Sequence, residues 1–213
     1  MSASANAIAS GSAAYAETRH ATKTGPGNEW LGMVLFLVSE AIMFGSLFGQ
    51  YFYNRVQAAQ WPPSAGLPEH FERVPAFPLA LVLTIILALS GITAHNADTA
   101  ISRGDQDGLR AWLAATILLG IAFLSGQAYE YSNFIFVEGF TLRSGIYGTV
   151  FYSLTGLHGL HVTGGVLVMI AVLVRALMGH FSASRHFAVQ GTVLYWHFVD
   201  IVWFALYTSL YLL

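Results

Sequence analysis

Cysteine is absent from the 213 residues. That excludes a disulfide framework, a thiolate metal site and a cysteine nucleophile. Charge is scarce as well: Asp, Glu, Lys and Arg make up 9% of the chain, against roughly 25% in a soluble domain. The net charge of −2 says little for a chain this apolar, but no basic patch for nucleic acid and no glycine-rich nucleotide loop is visible. No internal repeat is evident, which counts against an inverted-repeat transporter. What fills the chain is apolar: 55% hydrophobic and 14% aromatic residues, with a mean hydropathy of +0.59.

A bilayer core of about 30 Å takes about 20 apolar residues in a helix. Five runs qualify, at about 30–53, 77–97, 109–130, 147–175 and 190–213. The expected fold is an all-α integral membrane protein, a bundle of five transmembrane helices over residues 29–213. Residues 1–28 are rich in Ala, Ser, Gly and Thr and lack the basic and apolar regions of a signal peptide. They read as a flexible tail. Turn signals separate the runs: WPP and GLP after the first, RGDQDG after the second, SASRH after the fourth. Arg19, Lys23, Arg103, Arg110, Arg175 and Arg185 fall on one side, and Arg55, Arg73 and Arg143 on the other. The positive-inside rule then puts the N-terminus in the cytoplasm and the C-terminus outside. Trp30, Tyr51, Tyr53, Tyr129, Tyr131, Tyr147 and Tyr211 lie near span ends, where amphipathic rings favour the interface.

Against this apolar background a few polar residues stand out. Glu40 lies about 15 Å into the first span, near the bilayer centre. An ionised carboxylate there costs about 2.5–3.5 kcal/mol on insertion scales. Two readings stand: a proton-handling or lipid-organising acid, and a satisfied polar contact between helices or subunits. In LTGLHGLHVTGG, His158 and His161 are three residues apart among Gly156, Gly159, Gly164 and Gly165. Small residues let another helix approach, and imidazoles can hydrogen-bond across the contact. Metal or haem ligation by these imidazoles, with His197 or His95 as the opposite ligand, is the lesser reading. His197 and Asp200 share a face of the fifth span, where each lowers the cost of burying the other. They suggest a buried polar network that includes His158 or His161, with a proton relay as the sharper alternative. Gln127 and Glu130 close the third run, and Glu130 is expected at an exposed end.

Taken in order, FLVSEAIMFGSLFGQYFY, GQAYEY, SGIYGTVFYSLTGLHGLHVTGG and YWHFVDIVWFALYTSLYLL resemble subunit III of the haem–copper cytochrome oxidases. The WPP loop, the SGIT segment and the RGD turn fit the same order. The likeness runs from about Trp30 to the C-terminus and matches the five-span form, which lacks the first two of the seven spans of the long form.

The resemblance implies a subunit with no cofactor of its own, packed against the catalytic subunit I, which holds haem and copper. It implies a non-catalytic role in a proton-translocating oxidoreductase: stabilising subunit I, supporting proton uptake and binding structural phospholipid in a prokaryotic plasma membrane. Glu40 falls on the family's buried carboxylate. Arg175 and His180 fall where the family contacts a lipid head group, although Met178 stands where a lysine is frequent. His158, His161, His197 and Asp200 match motif positions as contacts that hold the fold. A quinol oxidase subunit III is the alternative, and the SEA motif around Glu40 is closer to the cytochrome c pattern. A b-haem or quinone-binding carrier and a proton-coupled transporter are the rivals from other classes.

Overall fold

Proline and glycine punctuate the connections between the helices. In the computed structural model, residues 27–213 are described and the N-terminal tail, with Arg19 and Lys23, lies outside them. The helices are α1 (Asn28–Gln57), α2 (Leu79–Ser102), α3 (Gln106–Phe136), α4 (Gly145–Leu177) and α5 (Phe187–Leu206). The last residues, Tyr207–Leu212, continue α5 as a π-helical turn. All five are long and apolar enough to cross a membrane. The helices outrun the apolar windows at most ends; α2 starts only at Leu79 because Pro78 precedes it. Gly104, with φ of 79°, turns the chain from α2 into α3. Asp105 then caps α3 by accepting from the Gly108 N–H at 2.8 Å, which satisfies one of the orphan donors of the first turn.

The chain divides into two compact units, one ending at Phe36 and one spanning Leu37–Leu213. At the centre of the second unit is a closed ring of four helices, in which α2 and α4 each pack against both α3 and α5. Lipid is as apolar as a leucine side chain, so packing and interhelical hydrogen bonds must hold this ring rather than hydrophobic burial. Two tryptophans of α5 supply both. Trp196 donates from Nε1 to Ser90 Oγ on α2 at 2.9 Å, and Trp203 donates to Thr84 Oγ1, also on α2, at 3.0 Å. The Trp196 ring fits where α3 and α4 carry no side chain. A Cβ on Gly165 would lie 2.8 Å from it, and one on Gly120 would lie 3.0 Å from it.

The ring is closed at one end by the loop between α1 and α2. The Val74 N–H donates to Tyr147 Oη at 3.4 Å, and Tyr207 donates to the Ala76 carbonyl at 3.3 Å. Arg55 and Arg143 lie at this end, while Arg103, Arg110, Arg175 and Arg185 lie at the other, as the order of the helices requires. Tyr53 and Tyr129 face outward, whereas Tyr51, Tyr147 and Tyr211 are buried. The last three are therefore internal hydrogen-bonding groups, not a belt at the membrane surface. Each has a partner for its hydroxyl inside the bundle: the Ser209 carbonyl for Tyr51, the Val74 N–H for Tyr147 and the Glu130 carboxylate for Tyr211.

Candidate functional site: a carboxylate–imidazole pair in the bundle

The part of α1 that belongs to the second unit stands outside the ring, with Phe44 and Tyr51 as its buried residues. From Leu37 onward, a few specific contacts hold it. The first is Glu40, whose Oε2 lies 2.9 Å from Nε2 of His161 on α4. Phe44, one turn further along, sets its ring edge against the His161 imidazole at 5.0 Å and meets Phe198 of α5 at 6.4 Å. Near the end of α1, Tyr51 donates to the Ser209 carbonyl and Arg55 donates to the Leu213 carbonyl at 2.7 Å.

The geometry around His161 fixes how the pair can hold protons. Its Nδ1 lies 2.8 Å from the Leu157 carbonyl. A carbonyl only accepts, so Nδ1 carries hydrogen. One further proton is then shared between Nε2 and the Glu40 carboxyl. It sits on nitrogen in an ion pair or on oxygen in a neutral pair, and either arrangement leaves the pair with no net charge. That neutrality is what makes the two side chains tolerable at mid-membrane depth. The His161 side chain is 13% exposed and that of Glu40 19%, so the pair lies under the bundle surface without being sealed from it. Tyr195 of α5 donates to the His161 carbonyl at 3.0 Å and ties the same turn of α4 to a third helix.

His158 lies elsewhere. It is fully buried, with its ring 5.1 Å from Trp203 and 5.8 Å from Phe123. Neither of its nitrogens has a hydrogen-bond partner among the described residues. His197 and Asp200 form a separate group on the α5 side facing α2. His197 Nδ1 is 3.8 Å from Asp200 Oδ2, an ion-pair distance too long for a hydrogen bond. The Asp200 carboxylate packs against Gly91 of α2, and the rings of His197 and His95 are 6.5 Å apart. No hydrogen bond joins this group to His158 or His161 among the described residues, so the single network expected from sequence is three separate places. Nor do three His, Asp or Glu side chains converge as a metal cage needs, among the described residues.

Glu130 corrects the expectation of an exposed end. It is 4% exposed and accepts from Tyr211 at 2.8 Å. α3 runs on to Phe136, so Glu130 is still inside the bundle, and the π-helical turn carries Tyr211 over it. Beside it, Gln127 donates to the Thr155 carbonyl at 3.0 Å, and Tyr131 and Thr155 share a hydrogen bond of 2.6 Å. Sequence reasoning missed this cluster. Its signal was a Gln, a Glu and a Tyr within five residues of a span that does not end there. At the opposite end of the ring, Arg175 and His180 are exposed and line an open hollow with Phe181, Ser182 and Arg185. The Arg175 guanidinium lies 5.1 Å over the Phe181 ring.

Four spans in a cross-bonded ring, with an acid–imidazole pair joining the fifth to it, define a polytopic α-helical membrane protein. The family model described as cytochrome c oxidase subunit III matches residues 8–213. The chain is 41% identical over 184 residues to "Cytochrome c oxidase subunit 3" of Thermostichus vulcanus, covering 86% of each protein. It is 43% identical over 182 residues to "Probable cytochrome c oxidase subunit 3" of Mycobacterium leprae, covering 85% of this chain and 86% of that protein. A third relative is "Cytochrome c oxidase subunit 3" of Synechocystis, 42% identical over 88% of this chain and 77% of that protein. This chain belongs to the cytochrome c oxidase subunit III family. It is a multi-pass protein of the bacterial plasma membrane and a subunit of an oxidoreductase complex, with other oxidase subunits as partners.

Proposed function

We propose that the chain is the non-redox accessory subunit of a proton-pumping haem–copper oxidase that reduces O₂ to water. Haem and copper belong to its partners, above all the catalytic subunit I. The chain stabilises that subunit during turnover, supports proton uptake and binds phospholipid. Its N-terminus is cytoplasmic, on the side where Arg103, Arg110, Arg175 and Arg185 gather. The names of the relatives support cytochrome c rather than quinol as the donor of the complex.

The observation that carries this reading is the Glu40–His161 pair. It is a proton-holding contact at mid-depth that joins α1 to the ring and needs no cofactor. α1 beyond Leu37 leaves Val38 and Ile42 exposed, which suits a helix with acyl chains against it. The cations of Arg175 and Arg185, with His180, suit a phosphate group at the membrane surface. Glu40 shapes the lipid-lined side of α1 through its bond to His161 rather than by meeting a head group itself.

The test is Glu40→Gln in the assembled oxidase. Glutamine keeps the size and a hydrogen bond to His161 but cannot share the proton. The complex should assemble with normal initial activity and then lose activity during sustained turnover several-fold faster than the parent. Inactivation at the parental rate would remove the pair from the subunit's function.

A further inference from the structure

In a lipid-facing helix surface, a polar side chain needs its own partner. Most exposed hydroxyls on these spans have one. Ser46, Ser125, Ser132 and Thr163 each donate to the carbonyl four residues back, at 2.8, 2.8, 2.9 and 2.8 Å. These surfaces of α1, α3 and α4 are compatible with acyl chains.

The seam between α2 and α5 differs. His95 is exposed and makes no hydrogen bond among the described residues. It lies about 10 Å inside the end of α2, 6.5 Å ring to ring from His197, which is about 15 Å into α5. His197 is 39% exposed and turns Nδ1 towards Asp200, which leaves Nε2 for whatever covers the seam. Behind them the Asp200 carboxylate is buried with Oδ1 unpartnered, pressed into the gap left by Gly91. Ile85, Leu89 and Ile92 run along α2 towards His95, and Ile201 is one turn beyond His197 on α5, each between 48% and 68% exposed.

We propose that the α2–α5 seam is the face docked against the catalytic subunit. A transmembrane helix of that partner lies along Ile85, Leu89, Ile92 and Ile201 and presents hydrogen-bond acceptors to His95 and His197. The chemistry selects this occupant. Acyl chains offer no acceptor at that depth, whereas a helix with a hydroxyl, amide or carboxylate side chain does, and its approach takes the imidazoles out of lipid. The proposal rests on the accessory-subunit reading and adds the surface through which it acts.

A photoreactive benzoylphenylalanine placed at Ile92, and in a second variant at Leu118 on the outer side of α3, tests it in native membranes. Irradiation should join the Ile92 probe to the haem-bearing subunit, while the Leu118 probe should label lipid. Capture of that subunit from Leu118, with lipid alone from Ile92, would overturn the assignment. His95→Leu supplies a second readout. The amount of this chain retained with the purified oxidase should fall several-fold while the thermal midpoint of the isolated chain does not fall. Undiminished retention would count against the seam. If the accessory reading itself were wrong, no haem-bearing subunit would accompany the tagged parental chain at all, which separates the two failures.

Discussion

Trp196→Ala should destabilise the bundle by about 3–5 kcal/mol, the range for removing a fully buried tryptophan, and should leave little of the chain in the purified complex. Trp196 reaches from α5 to every other helix of the ring. It hydrogen-bonds Ser90 of α2, and its ring fills the gaps over Gly120 of α3 and Gly165 of α4. Truncation leaves both gaps empty and Ser90 without its donor. Because lipid cannot offer a hydrophobic gain in exchange, lost packing contacts dominate the loss. Thermal unfolding in a mild detergent or in nanodiscs measures the effect. A midpoint unchanged from the parent would mean that the ring is held by something other than this residue.

The second large effect concerns Glu40 and His161, and its sign pattern is more informative than its size. His161→Leu leaves a carboxyl group at mid-depth without its partner, and Glu40→Leu leaves an imidazole in the same position. Each single change should cost on the order of 2–4 kcal/mol, the scale for stranding one member of a buried pair. The double variant removes both polar groups and should be no worse than the milder single, so the two changes are strongly non-additive. A double-mutant cycle on thermal midpoints in nanodiscs reads the coupling. Additive losses would mean that the two side chains do not depend on one another.

The spans were legible in the sequence because a bilayer imposes a length and a composition on any helix that crosses it. Glu40 was legible for the same reason, since an acid ten residues into such a run has few uses. Its partner was not, because His161 is 121 residues away in the chain and no periodicity links them. Within α4, spacing misled in a specific way. Residues three apart on a helix differ by about 60° around the axis. That angle turns His161 to α1 and His158 into the aromatic interior between Phe123 and Trp203. In α5 the same angle leaves His197 partly exposed and Asp200 buried. Glu130 was misplaced because the next six residues, YSNFIF, mix polar and apolar side chains and read as an ending, although the backbone stays helical to Phe136.

The central claim is that this chain serves a haem–copper oxidase without carrying a redox centre. The most direct test is gentle detergent purification of the tagged chain from membranes, with a subunit gel and an optical spectrum taken before and after the subunits are separated. A large haem-bearing subunit should co-purify, and the separated chain should show no Soret band. A Soret band that stays with the separated chain, or a colourless chain that brings no haem-bearing partner, would contradict that claim.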